Sequence, residues 1–253
     1  NSVYANGTGI GNDKDFTVSG SGELDNGWTF SGYTLLNDAL AVSSSALTMD
    51  MGSLGSISTG SQSGGNSTRY DVQTPTAYEE IDDGGGSSLS ANFVGNWMDN
   101  NSLIYSTPTY DMGGDMTVRV DLEWTPEASG ASPNDGGVSA SNAFDNGQSL
   151  GLTFAGYGAT FGAYAAERET NITGNSDSFT AVTFLNYNYG PVSVGISASH
   201  HDAGNAGAGE RSDVNKLVGT ANGIFESHTA SIAYNVNDNF SVSYAKAEDT
   251  YDS

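Results

Sequence analysis

TVRVDLEW, residues 117–124, alternates apolar and polar side chains at every position. Because successive side chains of a β-strand point to opposite faces, this period of two predicts a strand. Its apolar face carries Val118, Val120, Leu122 and Trp124. Its polar face carries Thr117, Arg119, Asp121 and Glu123. Such a strand separates an apolar environment from a polar one.

Segments of the same kind recur along the chain, and we count about 12 strands. Short turns such as Asp25-Asn26-Gly27 and Gly190-Pro191 alternate with long polar connections such as 125–147 and 202–221. This alternation favours an antiparallel up-and-down barrel with turns at one rim and loops at the other. The strand over 178–189 is irregular, because it has apolar and polar side chains on one face, namely Val182, Phe184, Asn186 and Asn188. We therefore predict a shifted register or a bulge there.

Composition narrows the class of protein. Only 36% of the 253 residues are hydrophobic, which suits an apolar band one side chain deep around a wet interior. The 7 Lys and Arg against 30 Asp and Glu give a net charge of −23, which excludes nucleic acid as a partner. With no cysteine, the chain has no disulfide and no thiolate chemistry. No apolar run reaches the roughly 18 residues of a membrane helix.

A long Gly- and Asp-rich connection occupies Thr59 to Asn101. Loops of this length in a compact β-protein are uncommon and are usually functional or disordered. We interpret this one as a constriction loop folded into a pore. Its acidic candidates are Asp71, Glu79, Glu80, Asp82 and Asp83, with Arg69 and the strand residue Arg119 as the available cations. The alternative for each carboxylate is a solvated position outside the neck.

The order of these features resembles Gram-negative general diffusion porins, especially those of alphaproteobacteria. The resemblance rests on Leu24-Asp25-Asn26-Gly27, on Asp50-Met51-Gly52-Ser53-Leu54-Gly55, and on the acidic sequence YEEIDDGGG at 78–86. It implies a transmembrane barrel of a sixteen-stranded family, with a third loop folded inward as the pore eyelet. It also implies a homotrimer in the outer membrane, in contact with lipid or lipopolysaccharide. We expect residues 1–253 to form one porin domain that is incomplete at both ends.

The resemblance implies passive diffusion of ions and small hydrophilic solutes, with no enzymatic activity and no required cofactor. Relatives place a basic cluster on the wall facing the loop, but no Lys or Arg lies between Lys14 and Arg69. We therefore predict a cation-preferring pore. The acidic loop also suggests calcium at Asp82 and Asp83, although no ligand spacing matches a known calcium loop.

Two other classes of protein compete with a pore. A secreted or surface-attached acidic calcium-binding adhesin fits the composition, but its expected tandem repeat is missing. An enzyme would need a nucleophile beside a base, and the three histidines assemble no triad. We interpret His200-His201-Asp202 as a pair at the barrel rim. Exposed rings near strand ends would form interfacial girdles, namely Trp28, Tyr110, Trp124, Tyr187, Tyr189, Tyr234 and Tyr244.

Overall fold

The computed structural model describes residues 15–61, 65–71, 73–77, 100–126, 128, 144–171, 175–202, 204 and 224–252. These residues form one antiparallel sheet of 13 strands. The strands are β1 (Phe16–Glu23), β2 (Thr29–Leu36), β3 (Val42–Asp50), β4 (Ser56–Ser61), β5 (Asn100–Ser106), β6 (Tyr110–Gly113), β7 (Met116–Thr125), β8 (Phe144–Gly156), β9 (Ala159–Thr170), β10 (Ser178–Tyr189), β11 (Val192–Asp202), β12 (Ile224–Asn237) and β13 (Phe240–Asp252). Two short 3₁₀ helices cover Gly52–Leu54 and Ser67–Arg69. No helix in this part of the chain is long and apolar enough to cross a membrane.

Twelve of the strands follow one another along the sheet in sequence order, from β1 to β13, and β6 pairs only with β7. This agrees with the predicted count. The strand predicted over 102–110 is interrupted at 107–109, where Pro108 has no N–H to donate. Thr107 bridges the break, because its N–H donates to the Val120 carbonyl at 2.9 Å and its hydroxyl accepts from the Val120 N–H at 3.0 Å.

The connections between strands lie at two opposite ends of the sheet, as the alternation of turns and loops predicts. Two residues join β8 to β9, and both have positive φ, Tyr157 at 52° and Gly158 at 81°. This is the turn geometry that matches the twist of a hairpin. The opposite end carries the connections 62–99, 126–143 and 203–223, together with shorter ones at 37–41 and 171–177. Long loops therefore lie at one rim.

The two faces of the sheet are in different environments. The outer face exposes large apolar side chains, among them Leu122, Leu150, Leu185, Ile196 and Ile232. The inner face buries polar side chains, among them Asp121, Glu123, Thr180, Ser199 and Thr229. A water-soluble sheet protein would bury its apolar face instead. An exposed apolar face of this extent needs a partner other than water.

Exposed rings mark both ends of the outer face. Tyr110, Tyr187, Tyr189, Tyr234 and Tyr244 are exposed near the end with short turns, whereas Trp124 is exposed towards the long loops. Aromatic side chains at such positions are typical of the two interfaces of a membrane barrel. Of the rings predicted for these girdles, only Trp28 is half-buried.

The predicted irregularity of β10 is wrong. Its pairing with β9 and with β11 runs without a register shift. Val182 and Phe184 are buried on the inner face, where they form one cluster with Tyr70, Tyr164 and Ala166. Apolar side chains occur on this otherwise polar face because Tyr70, from the β4–β5 connection, covers them.

Several strands extend beyond their predicted ends towards the long loops. β8 begins at Phe144 rather than Ser149, and β13 ends at Asp252 rather than Ala247. The added residues are mostly polar, and backbone pairing continues through them because the ladder needs no apolar side chain. Likewise β4 reaches Ser61 and β5 begins at Asn100, so the connection between them covers 62–99 rather than 59–101.

Candidate functional site

The β4–β5 connection meets the inner face first at Glu123 of β7. One Glu123 carboxylate oxygen accepts the backbone N–H of Asn66 and the hydroxyl of Ser149, both at 3.1 Å. Gly65 has a φ of +54°, and a Cβ added there would lie 2.7 Å from the other carboxylate oxygen. Glycine at 65 avoids backbone strain at this positive φ and permits the close approach to the wall.

The 3₁₀ helix that follows brings a cation onto the wall. Arg69 donates from Nη1 to Oδ1 of Asp121 at 2.5 Å and to the Ser106 hydroxyl at 2.9 Å. Arg119 lies two residues before Asp121 on the same face of β7. It donates to the same Oδ1 from Nε at 3.0 Å and from Nη2 at 2.8 Å. The Ser106 hydroxyl donates to it as well, at 2.5 Å. Asp121 thus joins a cation of the connection to a cation of the wall.

Tyr70 completes this attachment. Its hydroxyl donates to Oδ2 of Asp121 at 3.0 Å and accepts from the Thr153 hydroxyl at 3.3 Å. Its ring stacks on Tyr164 of β9, with centroids 5.4 Å apart, and contacts Phe184 of β10 at 6.4 Å. Burial raises the pKa of Tyr70 to about 12, so the phenol stays neutral and keeps its proton for Asp121.

Further contacts carry the connection across the remaining strands. The side-chain amide of Asn186 on β10 donates to the Gln73 carbonyl. A Cβ at Gly195 of β11 would overlap the ring of Pro75, so this glycine permits a close approach. The backbone N–H of Ala77 donates to the Ser243 hydroxyl of β13 at 2.9 Å. Residues 65–71 and 73–77 therefore cross the inner face from β7 to β13.

A chain segment that lies across the polar face of an antiparallel sheet, whose other face is apolar and exposed, has the architecture of a pore with an internal loop. The family model of Gram-negative porins matches residues 2–253. The chain belongs to the Gram-negative porin family.

Among solved structures, a porin refined at 1.8 Å resolution matches this porin with a TM-score of 0.63 at 15% sequence identity. The match covers 94% of this chain and 76% of the other. At this identity the likeness shows the fold alone. No curated protein matches the sequence.

Family membership confirms the resemblance to general diffusion porins and gives the porin its location in the outer membrane. It also gives the coarse function, which is a channel for passive diffusion rather than an enzyme. The exposed apolar face is therefore the surface towards lipid, and the inner face lines the channel.

The predicted site residues of the porin fall into two groups. Arg69 and Arg119 are brought together by Asp121, and Asp71 follows this cluster half-buried, with its backbone N–H donating to the Ser67 carbonyl at 3.0 Å. Glu79, Glu80, Asp82 and Asp83 lie outside the described residues, and so does the predicted calcium position. Among the residues that are described, no three His, Asp or Glu side chains are placed to hold a metal ion.

Three residues of the attachment had no predicted role, namely Tyr70, Asp121 and Glu123. Asp121 and Glu123 lie on the polar face of the alternating stretch 117–124, and this alternation correctly gives their direction. The alternation does not predict that these two carboxylates are buried, because the residues that cover them are distant in sequence. Tyr70 lies 51 positions from Asp121, and Asn66 lies 57 positions from Glu123.

Arg168 at the loop end of β9 was also missed. Its guanidinium is buried, lies 3.5 Å from the centroid of the Phe144 ring, and donates to the Ala128 carbonyl at 3.1 Å. A buried arginine that stacks on an aromatic ring and donates to a carbonyl holds the two segments together. It fixes residue 128, in the β7–β8 connection, against the wall.

The predicted pair at His200 and His201 lies at the end of β11, which reaches Asp202. The two side chains point to opposite faces. Nδ1 of His200 lies 3.2 Å from the Glu226 carboxylate on the outer face, whereas His201 is fully buried on the inner face. The pair therefore cannot act jointly as an acid and a base.

Proposed function

We propose that this porin is a cation-preferring pore whose narrowest part lies beside the β4–β5 connection. The supporting observation is that residues 65–77, as far as they are described, lie on the inner face rather than outside the rim. A segment that occupies the interior of a wet barrel reduces its free cross-section and brings its charges close to every passing ion.

The cation preference comes from the acidic composition of the stretch that follows. Glu79, Glu80, Asp82 and Asp83 are joined through a few residues to Ala77, whose backbone is bonded to the wall of β13. We therefore expect these carboxylates to enter the channel rather than the external solvent. Asp71 adds to them, while Arg69 and Arg119 form the basic side of the constriction.

The basic side is weaker than its two arginines suggest. Asp121 neutralises one of the two charges, and no further Lys or Arg precedes Arg69 back to Lys14. The loop thus contributes five candidate carboxylates, Asp71 included, against about one net positive charge of the Asp121 cluster on the wall. The local field therefore attracts cations and repels anions.

The assembly and its partners are also part of the proposal. We propose a homotrimer in contact with outer-membrane lipid and lipopolysaccharide, which passes ions and small hydrophilic solutes. Calcium at Asp82 and Asp83 stays a prediction. A secreted calcium-binding adhesin, the alternative from composition, is disfavoured because the chain belongs to the porin family.

Planar-bilayer recording of the folded, purified oligomer tests the proposal. We expect stepwise conductance, and a reversal potential in a KCl gradient that has the sign of a cation-preferring pore. Replacing Glu79 and Glu80 by Gln, and Asp82 and Asp83 by Asn, should reduce the preference. Asp25→Asn with Asp238→Asn, in turns at the opposite end, is the control for charge alone. A reversal potential that the four loop substitutions leave unchanged would place these carboxylates away from the neck.

A further inference from the structure

The charge cluster around Asp121 bears on ion selectivity as well as on the fold. We propose that Asp121 is a selectivity-determining residue of this channel, because its carboxylate sets the net charge that Arg69 and Arg119 present to ions. The inference rests on the proposed channel function. It concerns a residue of the wall, distinct from the acidic stretch of the connection.

The exposure of the three side chains carries this inference. The Asp121 side chain is 2% exposed, whereas those of Arg69 and Arg119 are 39% and 36% exposed. Ions in the channel therefore meet the guanidinium groups directly and meet the carboxylate only through its field. With Asp121 ionised the cluster presents one net positive charge, and without that charge it presents two.

Charged and polar donors surround the Asp121 carboxylate. Its Oδ1 accepts from both guanidinium groups within 3.0 Å, and Oδ2 accepts from Tyr70 at 3.0 Å. Charge-assisted hydrogen bonds of this kind hold both guanidinium groups on the carboxylate. Two guanidinium groups this close together would repel each other without the carboxylate, so Asp121 also positions both arginines.

A purely structural role and a role in selectivity make different predictions. If Asp121 only fastens the connection, every substitution that weakens the attachment should alter the channel in the same way, whatever its charge. If Asp121 sets the local charge, reversal potentials should follow charge rather than attachment. Asp121→Asn removes the charge and keeps the size, whereas Asp121→Glu keeps the charge and changes the geometry. Arg119→Gln changes the charge in the opposite direction.

The experiment is a series of reversal potentials in a KCl gradient on folded wild-type and variant oligomers. One unit of charge several ångströms from the ion path, partly screened by salt, changes the cation-to-anion permeability ratio by about two- to five-fold. We expect Asp121→Asn to lower the ratio by about that factor, Arg119→Gln to raise it, and Asp121→Glu to leave it near wild type. The double variant Arg119→Gln/Asp121→Asn should return towards the wild-type ratio. Asp238→Asn, in the β12–β13 turn, is the matched control.

The outcomes separate this inference from the channel function itself. A wild-type oligomer without stepwise conductance overturns the proposed function. Wild-type channels together with an Asp121→Asn channel of unchanged permeability ratio overturn the inference alone. If Asp121→Asn does not assemble, Arg119→Gln and Asp121→Glu still test the inference. An unchanged permeability ratio in Arg119→Gln contradicts a role set by charge. A strongly lowered permeability ratio in Asp121→Glu contradicts it as well.

Discussion

The ring of Tyr70 stacks on the ring of Tyr164, with centroids 5.4 Å apart and planes inclined by 23°. The first residue belongs to the long β4–β5 connection and the second to the wall strand β9. Together with Phe184, Val182 and Ala166 they form the buried apolar cluster of the inner face. This contact joins the internal loop to the barrel, because burial of the rings stabilises the attachment while Asp121 binds the Tyr70 hydroxyl.

The ionisation of Tyr70 gives a pH-dependent prediction. Burial raises its pKa from 10.0 to about 12, so the folded protein favours the neutral phenol more than the unfolded chain does. The contribution of Tyr70 to stability is therefore complete below pH 10 and is lost as the pH rises through about 12. Ultraviolet titration of the wild type minus Tyr70→Phe should show one phenol ionising near pH 12. A difference spectrum that titrates at the ordinary pKa of 10 would show that Tyr70 is not buried.

Gly151 of β8 lies directly under Tyr70, and a Cβ at this position would overlap the phenol ring. Gly151→Ala should therefore displace the ring, at a cost of roughly 1–3 kcal/mol for overpacking. We expect a lower midpoint of denaturant unfolding and increased open-channel current noise. Gly20→Ala on β1 is the matched control, since a Cβ there meets nothing within 4 Å. Equal effects of the two substitutions would argue against close packing of Tyr70 on β8.

The outer face can be tested by placing a charge on it. Leu150 of β8 is 51% exposed on the face that we assign to lipid. Leu150→Arg should cost about 2–4 kcal/mol if the side chain is near the middle of the membrane. Gln148→Arg, two residues closer to the long loops on the same strand and face, should cost less because it is nearer the interface. The folded fraction of each variant in vesicles, determined from heat-modifiable gel mobility, measures the cost of each substitution. Equal insertion of the two variants would contradict this assignment.

The strands could be predicted from the sequence because their side chains alternate and their turns have distinctive residues. Alternation over 117–124 gave the direction of Arg119, Asp121 and Glu123 correctly, and Gly190-Pro191 marked a true turn. Strand ends were less accurate. The stretches before Ser149 and after Ala247 are polar, and nothing in their composition distinguishes a paired backbone from a loop.

The attachment of the loop could not be predicted, because it depends on contacts between distant residues. Tyr70 looked like one more aromatic residue in a polar stretch, and its partners Asp121, Tyr164 and Phe184 lie on three different strands. The same cause explains the error in β10. Val182 and Phe184 looked out of place on a polar face because the sequence did not show that Tyr70 covers them. Arg69 and Arg119 were both named as the available cations, but the carboxylate that joins them was not.

A cross-link between the β4–β5 connection and β13 tests whether the loop lies on the inner wall. The chain has no cysteine, so Ala77→Cys/Ser243→Cys introduces a single pair at the bond between the Ala77 N–H and the Ser243 hydroxyl. Ala77→Cys/Tyr244→Cys is the control, because the next side chain of β13 points to the outer face. Disulfide formation in folded oligomers is read by mass after mild oxidation. We predict a disulfide in the first pair and none in the second. Free thiols in the first pair, under conditions where the barrel is folded and conducts, would contradict a loop that crosses the channel to β13.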